Sequence, residues 1–398
     1  MLKYLLFFIP NILFAQGVSL ISGTVIDSRT HKPLQEAIIY MPNNAYSTGL
    51  NNEGKFRMYY PNIDADSSII FTKVGYSVAK TTPAQLAANL NIVIELDSLP
   101  HLDMSYGISD ATVLVQSAID SIPRNYPATA FAQVGFFRET IELDRLGFVK
   151  INEATIRIER FPEEKDERSK LKLLQSRKFE WEGQSSKVAA FGLGNSTEIV
   201  TRSFETEIPD FLTKKKLRDY NFNIDSLMVP FLDTRLFAIS FSPRKQNLSG
   251  GRTGKLYLDP ESKAIVRVAY EMTPKGMSEI FKSGLGSIKI TGEKISSTTQ
   301  YFPSGEKWFL SQNNLSLNAL FEDKLDKKFK TNASFNLDFI SSNSNSIKRS
   351  AIREMEEIMR SGGFTESNSF NATFWRRENF VEPTEKMKEI ISNKSKKE

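Results

Sequence analysis

Residues 47–58 read STGLNNEGKFRM, and the fold of the front of the chain turns on how this stretch is read. Asn51, Asn52 and Glu53 set three oxygen-bearing side chains before Gly54, as a calcium loop does. A calcium loop needs several carboxylates at alternate positions and a bidentate acid near its end. Glu53 alone is acidic here. Asn and Gly tolerate the positive φ of tight hairpin turns, and Ser47 to Leu50 and Lys55 to Met58 alternate as paired strands. The stretch reads as a β-hairpin, and the front of the chain as a folded module with no metal site.

The neighbouring segments share this short, alternating, turn-punctuated pattern. VSLISGTVID precedes a turn at SRTHKP, LQEAIIYM forms the next strand, and SSIIFTKVGY and NLNIVIEL complete a small sandwich. TPAQLAANL reads as a bulge or one helical turn. The string GTVIDSRTHKPLQEAIIYM…STGLNNEGKFRM…SIIFTKVGY resembles the carboxypeptidase regulatory-like domain, a transthyretin-like β-sandwich common in Bacteroidota envelope proteins. Its pattern is carried by Gly23, Val25, Asp27, Pro33, Leu34, Ala37, Gly54, Phe56, Gly75 and Tyr76. Two positions depart from it: Glu36 stands where glycine is common, and Asn51-Asn52-Glu53 replaces an aspartate-rich turn. The resemblance implies a non-catalytic module and no peptidase activity.

Working outward, MLKYLLFFIPNILFAQ at 1–16 has Lys3, an apolar stretch and a small residue before a cut between Ala15 and Gln16, which reads as a signal peptide. Its apolar run is shorter than the roughly 20 residues a membrane span needs. The expected location is an envelope compartment, most simply the periplasm, peripheral to the outer membrane. The formal charge of +5 becomes about +4 after cleavage. Basic residues are scattered, so the continuous stripe of a nucleic-acid binder is lacking. There is no cysteine among the 398 residues, which excludes disulfides, thiolate metal sites and a cysteine nucleophile.

The organisation reads as a signal peptide at 1–16, the sandwich at 17–97, a linker at 98–108, an antiparallel α+β domain at 109–345, and C-terminal helices with a polar tail at 346–398. SDATVLVQSAIDSI is helical, with Ser109 or Asp110 as N-cap and Val113, Ile119 and Ile122 on one face. Residues 163–178, EEKDERSKLKLLQSRK, read as an exposed loop or amphipathic helix. Successive strands follow, and GKLYLDPESKAIVRVAYEM is a two-stranded unit turning at Asp259–Ser262. A leading helix followed by antiparallel strands is similar in pattern to the LolA-like half-barrel. That resemblance implies a curved sheet around an acyl-chain groove; a plain sheet with helices packed on its concave face fits the same pattern. Val188–Leu193 lines either. Near the end, Ile352, Met355 and Met359 share a helical face, Phe374-Trp375 is an anchor, and Glu382-Pro383-Thr384 opens a last helix.

Catalytic signatures are missing. His31 and His101 are the two histidines, one in a turn and one in the linker, so zinc-peptidase pairs and a Ser-His-Asp triad have no material. GGRTGKLYLD at 250–259 has the wrong glycine spacing for a phosphate loop, carries Leu256 where Ser or Thr is required, and runs into a strand. SGLGS at 283–287 is a lone Gly-x-Gly turn. No catalytic, cofactor or metal residues are assigned. The expected function is a non-enzymatic secreted envelope protein, with the sandwich as interaction or spacer module and the larger domain binding another envelope component. The alternative is a periplasmic carrier shielding lipid or lipoprotein acyl chains; a hydrolase built on two converging carboxylates comes last.

Overall fold

A computed structural model describes residues 18–346 and 372–394, apart from 43–45, 90–91, 100–101, 104–109, 165–168, 181–187, 189–195, 282–286, 327 and 376–379. The stretch read as a signal peptide, with Ala15 and Gln16, His101, residues 189–193 and the segment with Ile352, Met355 and Met359 lie outside the described residues. The chain is mainly β.

Seven short strands open it: β1 (Val18–Asp27), β2 (Ile38–Met41), β3 (Tyr46–Gly49), β4 (Lys55–Pro61), β5 (Ile69–Thr72), β6 (Ala79–Thr81) and β7 (Ile92–Leu96). They form a three-stranded sheet, β4-β1-β7, and a four-stranded one, β3-β2-β5-β6, facing each other as a sandwich. Alternating residues of both sheets, among them Val25, Ala37, Ile39, Phe56, Met58 and Phe71, fill the space between. The interval before β7 is a helix, Pro83–Ala87, because Thr82 and Gln85 cap one another reciprocally.

Eleven further strands form one open antiparallel sheet in the order β11-β10-β9-β18-β17-β16-β15-β14-β13-β12-β8. Their ranges are β8 (Leu102–Asp103), β9 (Phe131–Leu143), β10 (Gly147–Arg160), β11 (Ser169–Glu180), β12 (Tyr220–Phe231), β13 (Thr234–Pro243), β14 (Arg252–Leu258), β15 (Ile265–Met272), β16 (Ile288–Ser304), β17 (Lys307–Asp323) and β18 (Lys330–Ser346). The longest hairpin, β16–β17, turns at Gly305, and β18 returns to pair with β9.

Three sequence expectations change. The linker contributes β8, whose Leu102 and Asp103 pair with Met228 and Leu227 at the sheet edge. Residues 169–180 are an edge strand and not a loop or helix, since their Lys/Leu alternation has period two and β10 offers a free ladder. The helix Ala111–Asp120 forms with Asp110 as its cap, yet Val113 points to solvent at 59% exposure; Val115, Ala118 and Ile119 face the sheet.

The two faces of the large sheet carry different covers. Helices and turns between 111 and 217 pack on one, the helical face, over Phe137, Ala154, Ile156, Leu337 and Phe339. The sandwich and the C-terminal segment cover the other, the sandwich face.

Candidate functional site

The helical face acquires its site because the stretch after β11 folds back over β15–β17. A helix at Ser196–Thr201, a 3-10 turn at Asp210–Leu212 and a helix at Lys214–Leu217 lie there. Phe204 anchors the first bend: its ring stacks on Tyr301 at 4.9 Å between centroids, and its N–H donates to the Tyr301 hydroxyl at 2.8 Å. Tyr126 meets both rings edge-on, donates its hydroxyl to the Ile265 carbonyl at 2.8 Å and accepts from the Ile265 N–H at 3.0 Å. Phe211 anchors the second bend by stacking on Phe241 at 5.2 Å.

Behind these rings sits a buried ion pair. Arg160 is 1% exposed; its Nε lies 3.5 Å from Glu205 and donates to Gln133 at 3.2 Å, and a terminal nitrogen donates to the Thr201 carbonyl at 2.6 Å. Ser203 donates to the other side of the pair, reaching Glu205 Oε1 at 2.5 Å. Burial lowers the Arg160 pKa, with Glu205 opposing, and burial beside Glu205 pushes both Tyr126 and Tyr301 well above the usual phenol range. These groups keep fixed protonation states near neutrality, which suits structure and not proton transfer.

Between the two anchored bends and the sheet lies a cavity of about 330 Å³, within the size range of small-ligand sites.

 A separate cleft of about 420 Å³ lies where the sandwich meets the sheet. Val200, Phe204 and Phe211 of the covering stretch and Val268 and Leu315 of the sheet give the helical-face cavity apolar lining, beside the polar Ser297, Thr299 and Asn313. Its charged residues are Arg202, Glu207, Asp210 and Arg252, paired as Arg202–Glu207 at 3.3 Å and Arg252–Asp210 at 2.9 Å. Leu315 also touches a second apolar cluster farther along the same face, with Ile141, Val188, Met277, Leu317 and Phe335. Apolar surface therefore continues beyond the cavity, and Val188 is part of it.

On the sandwich face a cross-strand ladder of polar residues crosses five strands: Asn314, Asp338, Arg138, Glu153 and Arg177 stand side by side on β17, β18, β9, β10 and β11. Arg138 Nε donates to Glu153 Oε1 at 2.6 Å, and Arg177 pairs with the other carboxylate oxygen. Burial works to raise the Glu153 carboxyl, and the two guanidinium groups more than offset it, so it stays ionised. Phe380 and Trp375 cover Arg177 with their rings, and the Val381 carbonyl accepts from Arg138 at 2.6 Å.

The opening hairpin is a turn, and it docks the end of the chain. Asn51 Oδ1 accepts from the N–H groups of Glu53 and Lys55, both at 2.9 Å. Lys55 pairs with Glu385 at 2.6 Å, Arg57 with Glu382 at 3.6 Å, and Glu53 accepts from the Glu385 N–H at 3.1 Å. A helix at Glu385–Lys394 follows, as its opening residues imply.

The ten motif residues hold the sandwich together and do not converge on a site. Gly23 leaves room for β7, since a Cβ there would stand 2.5 Å from the Ile92 carbonyl. Asp27 Oδ1 accepts from the Thr30 and Arg29 N–H groups, which hold its carboxyl below the usual range, and it bonds Tyr76. Pro33 bridges to Ile26; Val25, Leu34, Ala37 and Phe56 are core; Gly54 takes φ +70° at the turn. Gly75 donates to the Pro230 carbonyl across the domain junction at 2.8 Å. His31 lies in a turn with its N–H on the Asp27 carbonyl, far in sequence from any acid of the cavity. Among the described residues no group of three metal-binding side chains occurs, and no helix is long and apolar enough to cross a membrane. Arg160, Glu205, Arg252 and Tyr301 were not singled out by the sequence. Arg252 lies inside the discarded GGRTGK string, and the other three sit in unremarkable polar and strand contexts.

No protein-family model matches the chain, and no curated protein matches it. The solved structures similar to it include three at 10% identity. A LolA superfamily protein from Nitrosomonas europaea is covered over 94% of its length and covers 59% of this chain, with a TM-score of 0.23. A putative outer membrane lipoprotein-sorting protein domain from Vibrio parahaemolyticus is covered over 96%, covers 61% and scores 0.25. A DUF1329 family protein from Desulfovibrio piger is covered over 100%, covers 61% and scores 0.23.

Proposed function

We propose that the chain is a non-enzymatic, exported envelope protein whose larger domain holds an amphiphile on the helical face, and whose N-terminal sandwich is a carboxypeptidase regulatory-like module fixed to the opposite face. The observation that carries the proposal is the cavity of about 330 Å³, where apolar side chains of the covering stretch and of the sheet face one another below charged residues. Apolar lining favours a chain of methylenes, and charged groups at the rim leave a headgroup in contact with water. Arg202 and Arg252 each stand beside an acid, Glu207 at 3.3 Å and Asp210 at 2.9 Å, an arrangement that supports holding more than turnover. The leader at 1–16 supports export.

The test is a native mass spectrum of the protein gently extracted from its own envelope, beside the variant Leu315→Lys. Leu315 is partly buried where the cavity meets the second apolar cluster, so a lysine there places a charge against any acyl chain. The expected outcome is extra mass in the lipid range on the native protein and none on the variant, with the same circular dichroism. A native spectrum showing a stoichiometric protein partner and no lipid moves the function to an adaptor role. That second reading has its own support: Glu36, Lys55 and Arg57 tie the sandwich to the sheet and the C-terminal segment, so a partner meets one rigid surface.

A further inference from the structure

We infer that the amphiphile carries an oxyanion headgroup, phosphate or carboxylate, and that Arg252 is the residue that binds it. This rests on the proposed holding of an amphiphile at the same cavity and adds the chemical class of its head. Arg252 opens β14 on the cavity wall, with its side chain 18% exposed. Its guanidinium lies 5.1 Å from the Phe211 ring and 5.4 Å from the Tyr270 ring, so two aromatic neighbours restrict its plane. Its backbone N–H donates to the Tyr220 hydroxyl at 3.3 Å, and at the tip of the side chain Nη1 donates to the Gly250 carbonyl at 3.1 Å, which sets the direction of the guanidinium. Nη1 also faces Asp210 at 2.9 Å. Nε is buried and has no hydrogen-bond partner.

A buried guanidinium donor without an acceptor is costly, and a planar fork of donors matches the geometry of phosphate and carboxylate. Asp210, the acid paired with Arg252, is 67% exposed. A solvated carboxylate of that kind is a weak competitor, one that an incoming oxyanion displaces at small cost. Asp210 therefore holds the charge of Arg252, and displacing that exposed carboxylate frees the edge of the guanidinium for an incoming oxyanion. Arg202 stands on the same rim, half exposed and paired with Glu207, and supplies a second positive charge to the approach.

The experiment uses the purified full chain and three probes: micelle-free lysophosphatidylglycerol, lysophosphatidylcholine and inorganic phosphate, followed by isothermal titration. Variants are Arg252→Gln, Arg252→Lys and Asp210→Asn, each checked for an unchanged unfolding midpoint. The native chain is expected to prefer the anionic lipid. Arg252→Gln is expected to lose about ten- to a hundred-fold in affinity for it, and Arg252→Lys to recover part, because lysine restores charge without the fork. Asp210→Asn, on an exposed side chain that threatens no core, is expected to tighten anionic binding by removing the competitor. Equal affinity for the two lipids with no effect of Asp210→Asn overturns the inference and leaves the carrier reading standing. Binding of neither lipid overturns the carrier reading itself. Binding of inorganic phosphate as tightly as the anionic lipid also overturns the inference, since the site would then take a free anion.

Discussion

Glu36 holds a backbone conformation that a side chain rarely adopts, φ +60°, at the position where glycine is common in the resembled pattern. The left-handed conformation costs a non-glycine residue about 1 kcal/mol. What offsets it lies mostly across the domain junction: the carboxylate meets Arg267 at 2.5 Å, with Lys73 of the sandwich at 3.8 Å, and the Glu36 carbonyl accepts from Gln312 at 3.2 Å. Burial works to raise the Glu36 carboxyl, and Arg267 and Lys73 more than offset it, leaving it below the ordinary value of 4.5. Because the folded value is depressed, the unfolded chain binds the proton first on acidification. The stabilisation is complete above 4.5 and is lost as pH falls through the lower folded value. Glu36→Gln keeps the strain and loses the charge; Glu36→Gly loses both. Urea unfolding at pH 7 should therefore rank the native chain first, glycine second and glutamine last, with glutamine about 1 kcal/mol below native after allowance for a partly exposed pair. The gap between native and glutamine should narrow in acid. Glycine falling as far as glutamine would sink the strain argument.

At the scale of elements, the strands of the sandwich and the hairpins of the large sheet were legible because alternation and turn residues are local signals. What escaped was set by distant partners. Residues 169–180 alternate only over Lys170–Leu173, and pairing with β10 extends the strand to Glu180; the two-residue β8 likewise depends on its partner. The inward face of the helix 111–120 is chosen by where the sheet lies, so Val115 and not Val113 is buried. The site was less legible than the fold, since Arg160, Glu205, Arg252 and Tyr301 come from separate segments and meet only after the 196–217 stretch folds back. The polar ladder of β9–β11 shows the same dependence and can be tested as a unit. The Glu153 side chain is fully buried between Arg138 and Arg177, which are 4% and 11% exposed. Glu153→Gln leaves two buried cations facing one another, and should cost about 3–5 kcal/mol in equilibrium unfolding. Replacing Arg138, Glu153 and Arg177 together by Met, Leu and Met should cost far less, because no unpaired charge then remains. Equal losses in the two proteins would mean that the ladder contributes through packing alone.

For the molecule as a whole, the large sheet separates two kinds of work. Every residue lining the helical-face cavity falls between Ile199 and Leu315, on or over one face, and none comes from the sandwich. The sandwich touches the other face, through Ser47 on the Ser341 carbonyl at 2.6 Å, Tyr40 on Phe302 at 4.2 Å and the Glu36–Arg267 pair. Neighbouring residues of one strand point to opposite faces, so Phe339 serves the helical core while Ile340 meets Gly49 of the sandwich. A sheet whose long strands pair with neighbours on both sides transmits little between such faces unless it bends. Substitutions on the two faces should therefore add independently. Leu315→Lys is expected to abolish amphiphile retention and leave unchanged the rate at which protease cuts between the sandwich and the sheet. Glu36→Gln is expected to raise that rate and leave amphiphile affinity unchanged, and the double variant should show both effects at their single-variant sizes. Titration and timed proteolysis of the four proteins decide it. An affinity that shifts several-fold in Glu36→Gln would show that the docked sandwich sets the shape of the cavity, and that the two faces act as one coupled device.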